Sequence, residues 1–146
     1  MTIAVASILS DKRRNWRREQ PLSLQALNRF KHTIDVELPA EYAQLLRYAN
    51  GGEGDLALPP RWFVLFDVDR VQALYQDDFY RKQFPGLFFF GGNGGLEMIA
   101  FDTRRPSPWP IVAVDPIAGM RSAMVIAPDL LRFIEAVGLP YEVDPR

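Results

Sequence analysis

One stretch, residues 38–52, limits the folds open to this chain more than any other. Pro39 fits the first position of a helix, where its fixed φ is favourable and its missing N–H is not needed. Apolar residues then recur at helical spacing, so one side of the helix must be covered by another part of the chain. Asn50, Gly51 and Gly52 end the helix, because Asn and Gly adopt the left-handed conformation common after helix C-termini. The stretch therefore predicts a short amphipathic helix packed on a larger element.

The rest of the chain alternates between helical and strand patterns. Further helices are predicted where a capping residue or proline precedes apolar residues at helical spacing: 24–31 after Ser23, 68–83 after Asp67, and 128–137. Strands are predicted where β-branched and aromatic residues cluster: 62–66, 87–90, 96–101, 110–114 and 120–126. Residues 52–60 are predicted to be a loop, and Gly91–Gly95 a tight hairpin turn. Sequential strands joined by short turns pair antiparallel, which predicts an α+β fold: an antiparallel sheet of about four to six strands with helices packed against it.

Two more detailed expectations concern side chains of these strands. In the strand at 96–101, alternation places Leu96, Met98 and Ala100 on one face and the residues between them on the other. Trp62 is expected to lie in the core.

The chain length predicts one domain. Its 146 residues are enough for a single core, and no repeat or linker divides them. We expect a single domain over residues 22–140, with residues 1–21 as an N-terminal arm or extra element and residues 141–146 as a C-terminal tail.

Composition narrows the class of function. Hydrophobic residues make up 48% and charged residues 24%, as in a globular protein, and the net charge is -1. This balance gives no field that would recruit nucleic acid or a membrane, so neither is an expected partner. The absence of cysteine excludes disulfides and thiolate metal sites. The N-terminus has no basic region before its apolar residues, so we expect no cleaved signal peptide and a cytoplasmic location.

A basic cluster lies near the N-terminus. Residues 10–20 carry five Lys and Arg side chains around Trp16. One interpretation is a contact for phosphate or an acidic partner, with Trp16 stacking on it. The other is a solvated arm with Trp16 fixed to the core, and the balanced overall charge favours this second interpretation.

The residues that usually perform catalysis do not form a recognisable pattern. His32 is the one histidine, and without cysteine it makes a zinc site improbable, so it is interpreted as a surface or boundary residue. The glycines of 91–95 are followed by a strand pattern and lack the Lys-Ser/Thr of a phosphate-binding loop. Asp67 is interpreted as a helix cap, and Asp77 and Asp78 as a solvated helix face. We therefore expect a protein that is not an enzyme and has no metal or cofactor.

The helix at 38–52 also resembles the signature of a known family. The order Leu38-Pro39, Tyr42, Leu45-Leu46 and Asn50-Gly51-Gly52 is similar to that of the SMI1/KNR4 family, also called the SUKH superfamily. The similarity extends over roughly residues 22–137, through the Asp67 helix, the Gly91–Gly95 turn, the strand ending at Asp102 and a last helix after Ile126. One departure is Ala127-Pro128, where the family often has a serine before the last helix.

The resemblance implies an α+β fold and a protein-binding function. Bacterial members act as immunity proteins that bind and block a cognate toxin, often a nuclease, and eukaryotic relatives act as regulatory or scaffold modules. The family has no common catalytic residues to transfer to this chain. The sequence does not predict the oligomeric state of this protein.

Two hypotheses follow, with different sites. In the first, a cognate toxin is the partner, and Asp67, Asp69, Asp77 and Asp78 imitate phosphates while Trp109, between two prolines, acts as an exposed anchor. In the second, the protein is a regulatory, scaffold or small-ligand-binding domain, with a pocket between sheet and helices lined by aromatic residues such as Phe88 and Phe90.

Overall fold

The computed structural model of the protein describes residues 5–142. Within them the chain forms six α-helices and seven strands, so the fold is α+β. The helices are α1 (Val5–Leu9), α2 (Leu24–His32), α3 (Ala40–Tyr48), α4 (Val68–Gln76), α5 (Asp78–Gln83) and α6 (Leu130–Ala136). The strands are β1 (Trp16–Arg18), β2 (Gly52–Asp55), β3 (Trp62–Leu65), β4 (Leu87–Gly92), β5 (Met98–Asp102), β6 (Ile111–Val114) and β7 (Met124–Ala127).

The strands form one antiparallel sheet in the order β1 to β7. Each strand pairs with its neighbours in sequence, with α2 and α3 inserted between β1 and β2, and α4 and α5 inserted between β3 and β4. The predicted antiparallel sheet with packed helices is confirmed, with seven strands in place of the predicted four to six.

Helices cover both faces of the middle of the sheet. On one face, Tyr42 of α3 meets Phe88, Phe90 and Phe101 edge-on, and Phe133 of α6 meets Phe90. On the other face, the ring of Phe89 contacts those of Tyr80 in α5 and of Phe84, the residue after α5, with centroids 5.2 Å and 5.7 Å away. All five residues of β5 are therefore buried.

The amphipathic helix predicted within residues 38–52 is α3. Pro39 is its N-cap and not the predicted first helical residue, and Tyr42, Leu45 and Leu46 are buried on its inner side. The positive φ angles fall at Gly51 (121°) and Gly52 (149°). Asn50 has a different role from the predicted one. Its Oδ1 accepts a hydrogen bond from the Val68 N–H at 3.0 Å, which connects the end of α3 to the start of α4.

Two expectations for the segment after α3 are wrong. Residues 52–55 form strand β2 and are not a loop, because β2 pairs on both sides, with β1 and β3. Glycine lowers strand propensity but permits close approach of a neighbouring backbone. Trp62 is only half-buried, because β3 alternates and its inward residues are Phe63 and Leu65.

The predicted helix over 68–83 is two helices. Asp77 has an extended conformation, with φ -75° and ψ 125°, and it both ends α4 and caps α5. Its Oδ1 accepts a hydrogen bond from the Tyr80 N–H at 3.2 Å. Asp is a favoured N-cap residue, and here it starts a new helix inside an apparently continuous pattern.

Other boundaries also differ. Leu96 is exposed, since β5 begins at Met98, and Gly91 and Gly92 belong to β4, so the turn covers residues 93–97. In place of one strand over 120–126, a 3₁₀ turn over Met120–Ser122 precedes β7. The predicted last helix is capped by Asp129, whose Oδ1 accepts from the Arg132 N–H at 2.8 Å, so the family's serine is not needed.

Residues 5–21 contain α1 and β1. The Trp16 ring stacks on Phe63 with centroids 6.3 Å apart, and β1 pairs with β2. Arg14 Nη1 donates to the carbonyls of Glu135 and Val137 at the end of α6, at 2.9 Å and 2.6 Å. Part of the basic cluster therefore fastens the N-terminal segment to the rest of the fold.

Candidate functional site

Helices α4 and α5 carry the four aspartates singled out in the sequence. Asp67 caps α4, accepting a hydrogen bond from the Arg70 N–H at 2.9 Å, and Asp77 caps α5. Asp69 and Asp78 lie in the first turns of these helices, where negative charge is stabilised by the helix dipole. The four side chains are exposed, in two pairs separated by the length of α4, which is about 13 Å for nine residues.

An exposed aromatic residue lies beside the second pair. Phe79 is 53% exposed, although helical spacing predicts that it belongs to the buried stripe of one long helix. The break at Asp77 changes the direction of the Phe79 side chain. The Phe79 ring meets those of Tyr80 and Phe84 edge-on, with centroids 5.2 Å and 6.3 Å apart. The sequence reasoning missed Phe79 as a site residue, and the signal that could have found it is the capping character of Asp77.

Five exposed residues lie at the starts of these two helices, and we call them together the α4–α5 surface: Asp67, Asp69, Asp77, Asp78 and Phe79. Cations on the same helices partly balance it. Arg70 lies over the Phe66 ring at 3.9 Å, and Arg81 and Lys82 occupy the last turn of α5. The surface therefore combines one exposed aromatic side chain with carboxylates and neighbouring cations.

A cavity of about 470 Å³ adjoins α5. It lies between the loop joining α2 to α3, the ends of α4 and α5, and the start of β4. Tyr75, Tyr80 and Phe88 are among its walls. Phe90 is not, because it is fully buried among Tyr42, Phe101 and Phe133. A pocket between sheet and helices therefore exists, with Phe88 but not Phe90 in its lining.

Trp109 occupies a different place. It lies in the loop between β5 and β6, is half-buried, and packs its ring 6.0 Å from that of Phe101. Its aromatic contact is with the core and not with α4 or α5. The residues before it, 104–108, are exposed, so Trp109 stands at the edge of a solvated loop.

His32 and Asp102 are both held by local interactions. His32 is exposed at the end of α2, with Nδ1 2.7 Å from the Asn28 carbonyl oxygen. Asp102 is buried and accepts two side-chain hydrogen bonds from Arg104, at 2.9 Å and 3.0 Å. These bonds lower the pKa of Asp102 below its ordinary value and hold the carboxylate ionised. Within residues 5–142, the side-chain hydrogen-bond partner of His32 is thus a backbone carbonyl, and that of Asp102 is an arginine.

Tyr42 is a buried polar group with no hydrogen-bond partner among the described residues. Burial raises the pKa of its hydroxyl, so the phenol stays protonated. Its neighbours are the rings of Phe88, Phe90 and Phe101, which supply no group to react with it.

Over residues 5–142, no three or more His, Cys, Asp or Glu side chains come together as metal ligands would. None of the helices in this range combines the length and the apolar character needed to cross a bilayer.

Comparison with known proteins gives one finding. A model of the SMI1/KNR4 family (SUKH-1) matches residues 21–136, which is most of the chain and includes α2 to α6 and β2 to β7. No curated protein matches the chain.

Proposed function

This chain belongs to the SMI1/KNR4 family (SUKH-1), and from that premise we propose that it is a non-enzymatic protein-binding domain, an immunity protein that neutralises a cognate bacterial toxin in the cytoplasm. The toxin class that fits its surface best is a nuclease. Inhibition of this kind needs only a complementary surface of about 800 Å² per partner that covers the toxin's site.

The observation that carries the proposal is the helix break at Asp77. It leaves Phe79 exposed in the first turn of α5, beside the carboxylates of Asp77 and Asp78. Exposed aromatic residues are enriched among the few that dominate binding energy. Carboxylates matched to the basic groups that bind nucleic acid would speed association and align the partner.

The side chains that could perform catalysis already have other hydrogen-bond partners, which supports a binding role. His32 is at the surface with its ring nitrogen on a backbone carbonyl, and Asp102 is occupied by Arg104. Two of the surface aspartates, Asp67 and Asp77, are helix caps, so their carboxylates already accept hydrogen bonds from backbone N–H groups.

The experiment is co-expression with the toxin encoded beside this chain, followed by co-purification and a binding measurement. Phe79→Ala should weaken the complex about 30-fold, the cost typical of a central aromatic anchor. The matched control is Leu24→Ala, because Leu24 is similarly exposed, at 57%, but lies on α2. Continued killing of the cells with no complex formed would reject the proposal.

The carboxylates are tested by rate. The double variant Asp69→Asn/Asp78→Asn avoids both capping residues and should slow association about 10-fold at low salt, with the difference disappearing at high salt. Glu135→Gln/Glu142→Gln removes two exposed charges at and beyond α6 and should leave the rate near that of the parent. Equal rates in the two double variants would contradict a role for Asp69 and Asp78.

Trp109 is a further proposed contact. Its ring supports Phe101, so Trp109→Phe is the informative change: it keeps an aromatic ring on the core and shortens the exposed edge. Binding reduced with an unchanged free energy of unfolding is the expected result. Unchanged binding would remove Trp109 from the interface.

A second candidate function is that of a regulatory, scaffold or small-ligand-binding domain. The cavity beside α5 favours the ligand-binding form, because its volume of about 470 Å³ lies in the range of small-molecule sites.

A further inference from the structure

The cavity beside α5 is built from segments that meet only in the folded chain. The loop between α2 and α3 forms one wall, α5 forms another, and the start of β4 is shared between them. Ligand sites of small molecules are typically concave, partly aromatic, and fitted with a few polar groups that fix the ligand's orientation. This cavity has those properties, and nothing in the toxin-binding proposal uses it.

The aromatic walls are held in place by their own contacts. Tyr75 packs 5.6 Å from Phe88, and its hydroxyl accepts a hydrogen bond from the Asp35 N–H at 3.1 Å. Tyr80 stacks on Phe84 with centroids 5.9 Å apart and an interplanar angle of 29°. Both tyrosines line the cavity, so a flat ligand would meet rings that are already ordered.

Two opposite charges line the same cavity without pairing. Asp35 comes from the α2–α3 loop and Arg81 from α5. Across residues 5–142, neither the Asp35 carboxylate nor the Arg81 guanidinium has an ion pair or a side-chain hydrogen bond. Each is therefore available to a ligand, and a ligand with a single charge would match only one of them.

We propose that this cavity binds a small zwitterionic molecule with a flat aromatic body, the chemical class of the free aromatic amino acids. The ligand's carboxylate pairs with Arg81 and its ammonium group with Asp35, while its ring packs against Tyr75 and Tyr80. The inference does not depend on toxin neutralisation, because it concerns the cavity and not the α4–α5 surface.

The test is isothermal titration of the full chain with L-tryptophan and two analogues that keep the indole ring. Tryptamine lacks the carboxylate, and indole-3-propionate lacks the ammonium group. We expect saturable one-to-one binding of L-tryptophan, with each analogue about 10-fold weaker or more, since each loses one charge-assisted hydrogen-bonded pair. No saturation by L-tryptophan at millimolar concentration, or equal binding of either analogue, would overturn the proposal.

Two variants assign the charges. Arg81→Gln should abolish the preference for L-tryptophan over tryptamine, and Asp35→Asn should abolish its preference over indole-3-propionate. The control is Lys82→Gln, which removes a charge next to Arg81 from a residue that does not line the cavity. The proposal would also be overturned if Arg81→Gln and Asp35→Asn both kept the preference for L-tryptophan while their circular dichroism spectra matched that of the parent.

Discussion

Gly54 shows how closely two backbones approach in this fold. A Cβ at this position would lie 2.1 Å from the Asn15 carbonyl oxygen and 2.6 Å from the Trp16 Cα. Both are backbone atoms, so a side chain cannot be accommodated by rotating a neighbour. The glycine is therefore required by the pairing of β1 with β2, and not by an unusual φ angle at Gly54 itself.

We predict that Gly54→Ala separates β1 from β2 and lowers the free energy of unfolding by about 3 kcal/mol or more, within the large effects associated with overpacking. Gly95→Ala is the control, because its nearest contact would be ordinary, at 3.4 Å from Asn93 Oδ1. Urea unfolding followed by circular dichroism measures both. Similar values for the two variants would contradict the close approach.

Asp102 gives a prediction about pH. Because the hydrogen bonds of Arg104 lower the pKa of Asp102 below its unfolded value of about 3.9, this carboxylate stabilises the fold above that pH. The stabilisation is lost as pH falls through the lower, folded-state pKa. Asp102→Asn should therefore cost about 1–3 kcal/mol at pH 7 and progressively less below pH 4. Unfolding measured from pH 7 to pH 2.5 tests this, and a constant difference across that range would contradict it.

At the scale of elements, helix caps decide where α4 ends and α5 begins. The apolar spacing from Val68 to Phe79 is compatible with one helix, whereas the extended backbone of Asp77 and its hydrogen bond from the Tyr80 N–H mark the restart. This small local interaction has a large consequence, because it decides whether Phe79 points into the core stripe or to solvent. Spacing alone could not predict it, since both arrangements satisfy the period of a helix.

We predict that Asp77→Ala lowers the free energy of unfolding by about 1 kcal/mol through loss of the cap. Asp78→Ala removes a charge from the same turn without removing a cap, and its cost should stay below about 0.5 kcal/mol. Chemical unfolding of the isolated chain gives both values. A larger loss for Asp78→Ala than for Asp77→Ala would show that charge, and not capping, holds this turn.

At the scale of the whole molecule, the N-terminal segment completes the sheet. β1 is the outermost strand, Trp16 stacks on Phe63, and Arg14 binds carbonyls at the end of α6. The segment therefore contacts the middle of the matched family region, at β2 and Phe63, and its C-terminal end, although β1 itself lies before that region.

We predict that Trp16→Ala lowers the free energy of unfolding by about 2–4 kcal/mol. Trp16 is half-buried, and its ring packs against the core. Arg13→Ala is the matched control: Arg13 is highly exposed and pairs with Asp11 at the surface, so the variant should unfold close to the parent. Thermal and urea unfolding provide the measurement. A Trp16→Ala protein as stable as the control would show that β1 contributes little to the fold.

The sequence by itself determined the fold class, the family, and most helix starts. The reason is that capping and helical periodicity are local: Ser23, Pro39 and Asp67 each act within one turn of their own helix. The sequence also predicted that His32 is a surface residue, because the chain has no other histidine and no cysteine that could share a metal with it.

Only the tertiary structure decided the glycine-rich strand β2, the exposure of Phe79 and the shape of the cavity. Each depends on segments far apart in the chain: β2 exists because β1 and β3 pair with it, and the cavity because the α2–α3 loop faces α5. Pairing and packing energies across such distances are set by which surfaces meet, and no local pattern of residues records that.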